Sequence, residues 1–485
     1  MRPATLLLLS VFFLFPTDVL SAQPPSSESL SEVISADFRD SERLASSDVE
    51  VHVENGLVTL SGVADSLMDK QLAEAIAKRT VGVRAVANQV IIKPSERTDE
   101  EIQDDVIKVL RANGAVERPQ AEVEVDGGVV ALMGKVDSLA EKRIAKWAAS
   151  GVRGVRDVHN QLTVALTLDR SDEDLREEIN TLLVHSIYLD DVNLSVEVDD
   201  AVAVLSGKVR VAEQKEAAGA IASVSGIVDV DLSGVSVDEN VGDPSVRKQR
   251  YADVNDQAIM DVLEKSFRSD PLVFDVASSM DVSVDDGTVT LTGQANRLIE
   301  KTKAESLARG VVGVNRVVNE LKIRRPQDPP SDIEIVEETQ AALKRSSHLQ
   351  RRDFRVHCQR AHVSLYGLVD SQLEKQIAGW LADGVTGVVH VNNSLAVEQP
   401  WQEKSDEEIK TDLQRKLKYT FLDASNQVDV TIENGVAILR GEVDTWRQWQ
   451  AAIDLALEAG ARHPHNLINV RYHPPHGVSR TYVPR

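Results

Sequence analysis

The sequence predicts an α/β protein of the α+β kind, built from tandem copies of an α-β-β-α-β unit. Two helices cover one face of a three-stranded mixed sheet in each copy. Three recurring features predict it: a β-hairpin, a pair of alanines on the helix that follows, and a glycine before a last strand. At 485 residues the chain exceeds what one hydrophobic core organises, so several domains are expected.

Each unit opens with a helix. Thr98 with Glu101, Ser331 with Glu334 and Ser405 with Glu408 are capping boxes, and Ser171 with Asp174 is a near match. Behind the caps, apolar residues fall four apart, as in Ile102, Val106 and Leu110, or Ile409, Leu413 and Leu417. That spacing marks one buried stripe on a helix.

The hairpin comes next. In the first unit Asn55 and Gly56 form a two-residue turn that tolerates positive φ, with Val51 and Val53 before it and Val58 and Leu60 after. The second strand carries Leu60, Leu132, Leu205, Leu291, Leu365 and Leu439, two residues before Gly62, Gly134, Gly207, Gly293, Gly367 and Gly441. The alternate positions (Thr59, Ala131, Val204, Thr290, Ser364 and Ile438) are mixed, so one sheet face is core and the other partly wet. The turn glycine holds at Gly56, Gly128, Gly287 and Gly435 but is Ala201 and Ala361 in two units, which are expected to turn differently.

The second helix repeats Ala73 and Ala77, Ala145 and Ala149, Ala218 and Ala222, Ala304 and Ala308, Ala378 and Ala382, and Ala452 and Ala456. Residues four apart share a helical face, so two methyls per unit point one way and let the helix approach the sheet closely. The helix ends at Gly82, Gly154, Gly226, Gly313, Gly387 and Gly460. A third strand follows, parallel to the second, with Asn88, Asn160, Asn319 and Asn393 shortly after it in four units. The third unit lacks this Asn, and the sixth reads as irregular around Pro464.

The resulting division is residues 24–95, 97–168, 169–237, 254–326, 329–399 and 403–474 as units one to six, with 475–485 as a tail. Residues 238–253, with Gly242, Pro244 and a short basic patch, are expected to be a flexible division between two groups of three. The unit resembles the BON domain in its length, in the glycine after the second strand and in the Gly-Val before the third. That resemblance implies a non-catalytic module of the bacterial envelope, proposed to bind phospholipid and linked to osmotic or envelope stress.

Residues 1–22 read as a signal peptide, with Arg2, an apolar run from Leu6 to Phe15, and the small pair Ser21 and Ala22. Cleavage would place the chain in the periplasm. No Cys follows the apolar run, so a lipoprotein is not expected, nor is a transmembrane helix in the mature chain. Cys358 is the sole cysteine, which leaves stability to packing rather than disulfides. The net charge of −23 argues against nucleic acid and against strong attachment to anionic lipid.

No catalytic motif stands out, and no enzyme activity, cofactor, metal or small-molecule substrate is expected. His463, His465, His473 and His476 lack metal-ligand spacing. Cys358 beside His357 falls at the register of the core-side Val53, which favours a buried thiol over a nucleophile. Asp281 to Gly287 has the wrong spacing for a calcium loop and reads as a hairpin turn. Trp147 and Trp380 share one register between the paired alanines, pointing away from the alanine face. Trp446 lies off that face too, with Trp449 at its edge. Such aromatics either serve lipid or partner binding, helped by Lys146, or pack between neighbouring units. Arg351, Arg352, Arg355 and Arg360 make unit five locally basic. The expected partners are a phospholipid surface, bound weakly and peripherally, or alternatively envelope proteins met by a scaffold or chaperone-like array.

Overall fold

The computed structural model describes residues 26–41, 43–44, 47–112, 122–165, 170–238, 240–242, 244–270, 272–324, 327–349, 354–369, 372–397, 404–419, 428–443, 445–462, 464–472 and 480–482. Residues 1–22, expected to be a signal peptide, and Arg351, Arg352, His463, His473 and His476 lie outside the described residues. Unit four illustrates the repeat. Helix Asp256–Ser269 leads, strands Met280–Asp285 and Thr288–Ala295 form the hairpin, helix Leu298–Arg309 crosses over, and strands Arg316–Asn319 and Lys322–Ile323 return. The hairpin is antiparallel, with Val284 opposite Val289, and the returning strand is parallel, with Val289 opposite Val317. The second strand is therefore paired on both sides in each unit.

Packing follows the alanine pairs. All twelve of these methyl-bearing positions, from Ala73 and Ala77 to Ala452 and Ala456, are fully buried beneath the central-strand leucines. The glycine two places after each leucine has a positive φ, from +105° to +139°. Gly62 and Gly293 sit at φ +105° and +106°, and an added Cβ would run into the backbone carbonyls of Asp48 and Ser279. Here the first strand passes too close for any side chain.

The two alanine turns do not differ from the others. Asp200 and Ala201 have φ of 49° and 60°, and Arg360 and Ala361 have 53° and 64°, matching 50° and 76° at Asn55 and Gly56. The reason is a carboxylate on the first helix. Asp172 accepts hydrogen bonds from the backbone N–H groups of Asp200 and Ala201 at 3.1 and 3.0 Å. Asp332 does the same for Arg360 and Ala361, both at 2.9 Å. Asp99, Asp256 and Asp406 hold three of the glycine turns in the same way, and in the first unit Ser27 Oγ accepts from Asn55 N–H instead. Two charge-assisted bonds offset the left-handed strain at alanine, so the turn glycine is replaceable.

The recurring Asn is a clip between the third strand and the second helix. Asn319 donates from Nδ2 to the Lys301 carbonyl at 2.9 Å and accepts from Leu321 N–H at 3.3 Å. The sixth unit is regular in this respect, because Asn466 donates to Trp449 O and accepts from Ile468 N–H. Its third strand, His465–Tyr472, runs parallel to the second, with Leu439 opposite Asn466. Residues Arg480–Tyr482 of the expected tail add a further antiparallel strand at its edge.

The expected flexible division is instead a docked helix, Pro244–Asp253. Arg247 donates to Asp190 at 3.1 Å, and Arg250 reaches the carbonyls of Leu189 and Val192 in unit three. Tyr251 is buried in the unit-four core. Apolar anchoring on one side and satisfied carbonyls on the other hold the two halves together.

Candidate functional site

The second helices pack against other units. At the start of that helix, Leu67 of unit one enters the core of unit two, Leu139 of unit two packs on unit three, and Leu298 of unit four packs on unit five. Trp446, at the same place in unit six, donates its indole N–H to Asn315 O of unit four at 3.2 Å. Between the halves, Ile187 N–H donates to Gly310 O and Val312 N–H to His185 O, joining units three and four. Arg153 N–H donates to Arg345 O and Ser347 N–H to Gly151 O, joining two and five. Units one and six meet through charge. Lys416, with its side chain 1% exposed, lies 2.9 Å from Asp37 and 3.3 Å from Asp40, and Arg415 and Lys404 complete the cluster. Burial pushes the Asp40 carboxyl up, and Lys416 and Lys404 outweigh it, leaving the pKa below its ordinary value.

The tryptophans belong to these contacts. Trp147 and Trp380 meet edge-to-face with ring centroids 4.6 Å apart, which pairs units two and five again. Trp147 remains 43% exposed, and neighbouring Lys146 is exposed. Trp446 and Trp449 are half-buried, and the Trp449 indole donates to Ile468 O at 3.2 Å. Trp446 also lies under the Arg309 guanidinium, 5.5 Å from the ring centroid. So Trp446 bridges two units and Trp449 packs within its own.

Cys358 is half-buried and donates its thiol to Asp332 at 3.3 Å. Desolvation, with the Asp332 carboxylate beside it, pushes the thiol up to about 11. It is therefore uncharged near neutrality and a poor nucleophile. Among the described residues no group of three or more His, Cys, Asp or Glu side chains could hold a metal ion. No described helix is long and apolar enough to cross a membrane. A cleft of about 470 Å³ between units one and three is lined by Glu54, Leu57, Arg84, Lys215 and Val235 among others. Its Lys215 ammonium already donates to the Val235 carbonyl at 2.7 Å.

What the packing leaves open is the sheet face opposite the helices. Leu57, Ile91, Val204, Tyr366, Leu368 and Leu467 stand exposed on it. Its first strand is acidic in five units: Glu50 and Glu54, Glu122 and Glu124, Glu197 and Asp199, Asp281 and Asp285, Asp429 and Glu433. In unit five the same register holds Arg355, His357 and Gln359. Sequence reading found unit five basic but could not put these residues on one face. The cross-strand register does that.

The fold and its open faces define a class: a repeat array whose helices are used in packing and whose sheets face outward. The chain belongs to the BON domain family, which matches residues 26–94, 98–165, 171–238, 255–325, 331–399 and 405–472. It is similar to the osmotically-inducible protein Y of Escherichia coli (strain K12), with 29% identity over 136 residues, 27% of this chain and 68% of that protein. Among solved structures, CdsD, a structural protein of the Type III secretion system of Chlamydia trachomatis, shares 16% identity. The match covers 47% of this chain and 94% of CdsD at a TM-score of 0.13. The CdsD C-terminal domain matches with the same identity and share of this chain, at full coverage of its own length and a TM-score of 0.12.

Proposed function

We propose that this chain is an exported, non-enzymatic protein of the cell envelope that acts under osmotic stress by touching phospholipid surfaces. The observation that carries the reading is the set of apolar side chains left exposed on outward sheet faces, from Leu57 and Ile91 to Leu467, on units held in one array. The BON family and the likeness to an osmotically-inducible protein support the stress and envelope context. Each contact would be weak, and several units in one chain raise the effective concentration of the rest. Trp147 with Lys146 offers a further exposed aromatic and cation at the junction of units two and five.

Co-sedimentation of the full chain with phospholipid vesicles at low salt tests this. Binding that weakens when Leu57, Ile91 and Leu467 are changed to Ser is the expected result. No sedimentation with either zwitterionic or anionic vesicles overturns it and leaves an envelope-protein scaffold as the better reading.

A further inference from the structure

The net charge of −23 opposes any approach to an anionic bilayer, so lipid contact needs a local exception. We infer that the open sheet face of unit five is that exception, a docking surface for anionic phospholipid. This rests on the lipid reading above and assigns it to one face.

The six units provide an internal comparison. At the register where every other unit places at least two carboxylates, unit five places Arg355, His357 and Gln359, and its strands contain no Asp or Glu. His362 stands opposite His390 on the neighbouring strand, with ring centroids 5.7 Å apart, where unit two pairs Val129 with Asp157. Arg355, His357, His362 and His390 are all exposed, as is Arg360 at the turn. Beside them Tyr366, opposite Arg355, is 45% exposed, and Leu368 is 44% exposed. Cations bordering an exposed aromatic and an aliphatic side chain match the interface of an anionic bilayer, with phosphates outermost and acyl chains beneath. A soluble anion would use the cations and leave Tyr366 and Leu368 without a role.

The test is co-sedimentation of the full chain with phosphatidylcholine vesicles, with and without phosphatidylglycerol, at low salt. The expected result is preference for phosphatidylglycerol, lost about tenfold or more in Arg355→Glu/Arg360→Glu. Lys108→Glu/Arg111→Glu, an equal charge change on an exposed helix of unit two, should retain wild-type binding. If the unit-five pair disturbs folding by circular dichroism, Tyr366→Ser/Leu368→Ser takes its place and should also weaken binding. Vesicle binding that ignores all unit-five substitutions overturns this inference and leaves the lipid reading standing. Absence of vesicle binding by the wild type overturns both. Binding to a soluble polyanion such as heparin, without vesicle binding, reassigns the face to an acidic macromolecule and also overturns it.

Discussion

Replacing Lys416 by Met tests how the first and last units are joined. The Lys416 ammonium is buried between Asp37 and Asp40, with Asp412, Lys404 and Arg415 in the same cluster. Met keeps most of the aliphatic volume, so the loss is electrostatic. It leaves three carboxylates facing two cations with little water, and removing one partner of a buried pair costs about 3 kcal/mol or more. A loss of that size opens the contact about 100-fold more often. The assay is amide hydrogen exchange of helices Ser27–Asp40 and Asp406–Tyr419, which reads local opening without assuming that six units unfold as one. Exchange in both helices should accelerate by about two orders of magnitude at pH 7 while unit five is unchanged. Adding Asp37→Asn should restore part of the protection. The pH dependence has a definite sign. In the wild type the Asp40 carboxyl is held below its ordinary value, so its contribution is present above the unfolded value of 3.8 and disappears as pH falls through the lower folded value. In the Met variant that depression is lost, so acidification below pH 3.8 should narrow the gap to wild type. Unchanged exchange in both helices at pH 7 would refute the reasoning.

Three further outcomes are expected. Ala201→Gly and Ala361→Gly should each stabilise their units by about 0.5–1 kcal/mol, because φ near +60° strains alanine and not glycine. Slower exchange at those hairpins checks it. Cys358 should resist iodoacetamide in the folded chain at pH 8, react readily in urea, and become reactive in the folded chain only as pH approaches about 11. Burial between units four and five pushes the Asp383 carboxyl up to about 6, against a hydrogen bond with Thr302. The folded chain then keeps a proton that the unfolded chain releases, so stability should fall as pH rises from 3.8 to about 6. Asp383→Asn should flatten that slope in thermal unfolding.

Much of the single unit was legible because its signals are local. Leu60 and Gly62 mark the central strand, and Ala73 and Ala77 mark the docked helix face, as backbone sterics and close packing require. The carboxylate that holds the turn was also present, as Asp99, Asp172, Asp256, Asp332 and Asp406, but the capping pattern beside it gave it no part in the turn. That role joins groups 28 to 31 residues apart, a separation that no helical or strand period exposes. For the same reason Ala201 and Ala361 read as a different turn. Asn466 escaped notice because Pro464 made the segment read as irregular, although Asn466 follows Gly460 at the same interval as Asn88 follows Gly82.

The sequence by itself determined the unit, its sixfold repetition and the two faces of its sheet, because each depends on side-chain periodicity within about 70 residues. Only the tertiary structure decided what the units do to one another. It set Leu67, Leu139, Leu298 and Trp446 into neighbouring units and turned residues 244–253 into a clamp. It also joined Lys416 to Asp37 across 379 positions of chain. Such contacts form between surfaces that are each locally consistent with many partners, so geometry selects among them. The same holds for the basic face of unit five, whose members lie on three strands and meet only when the sheet is formed.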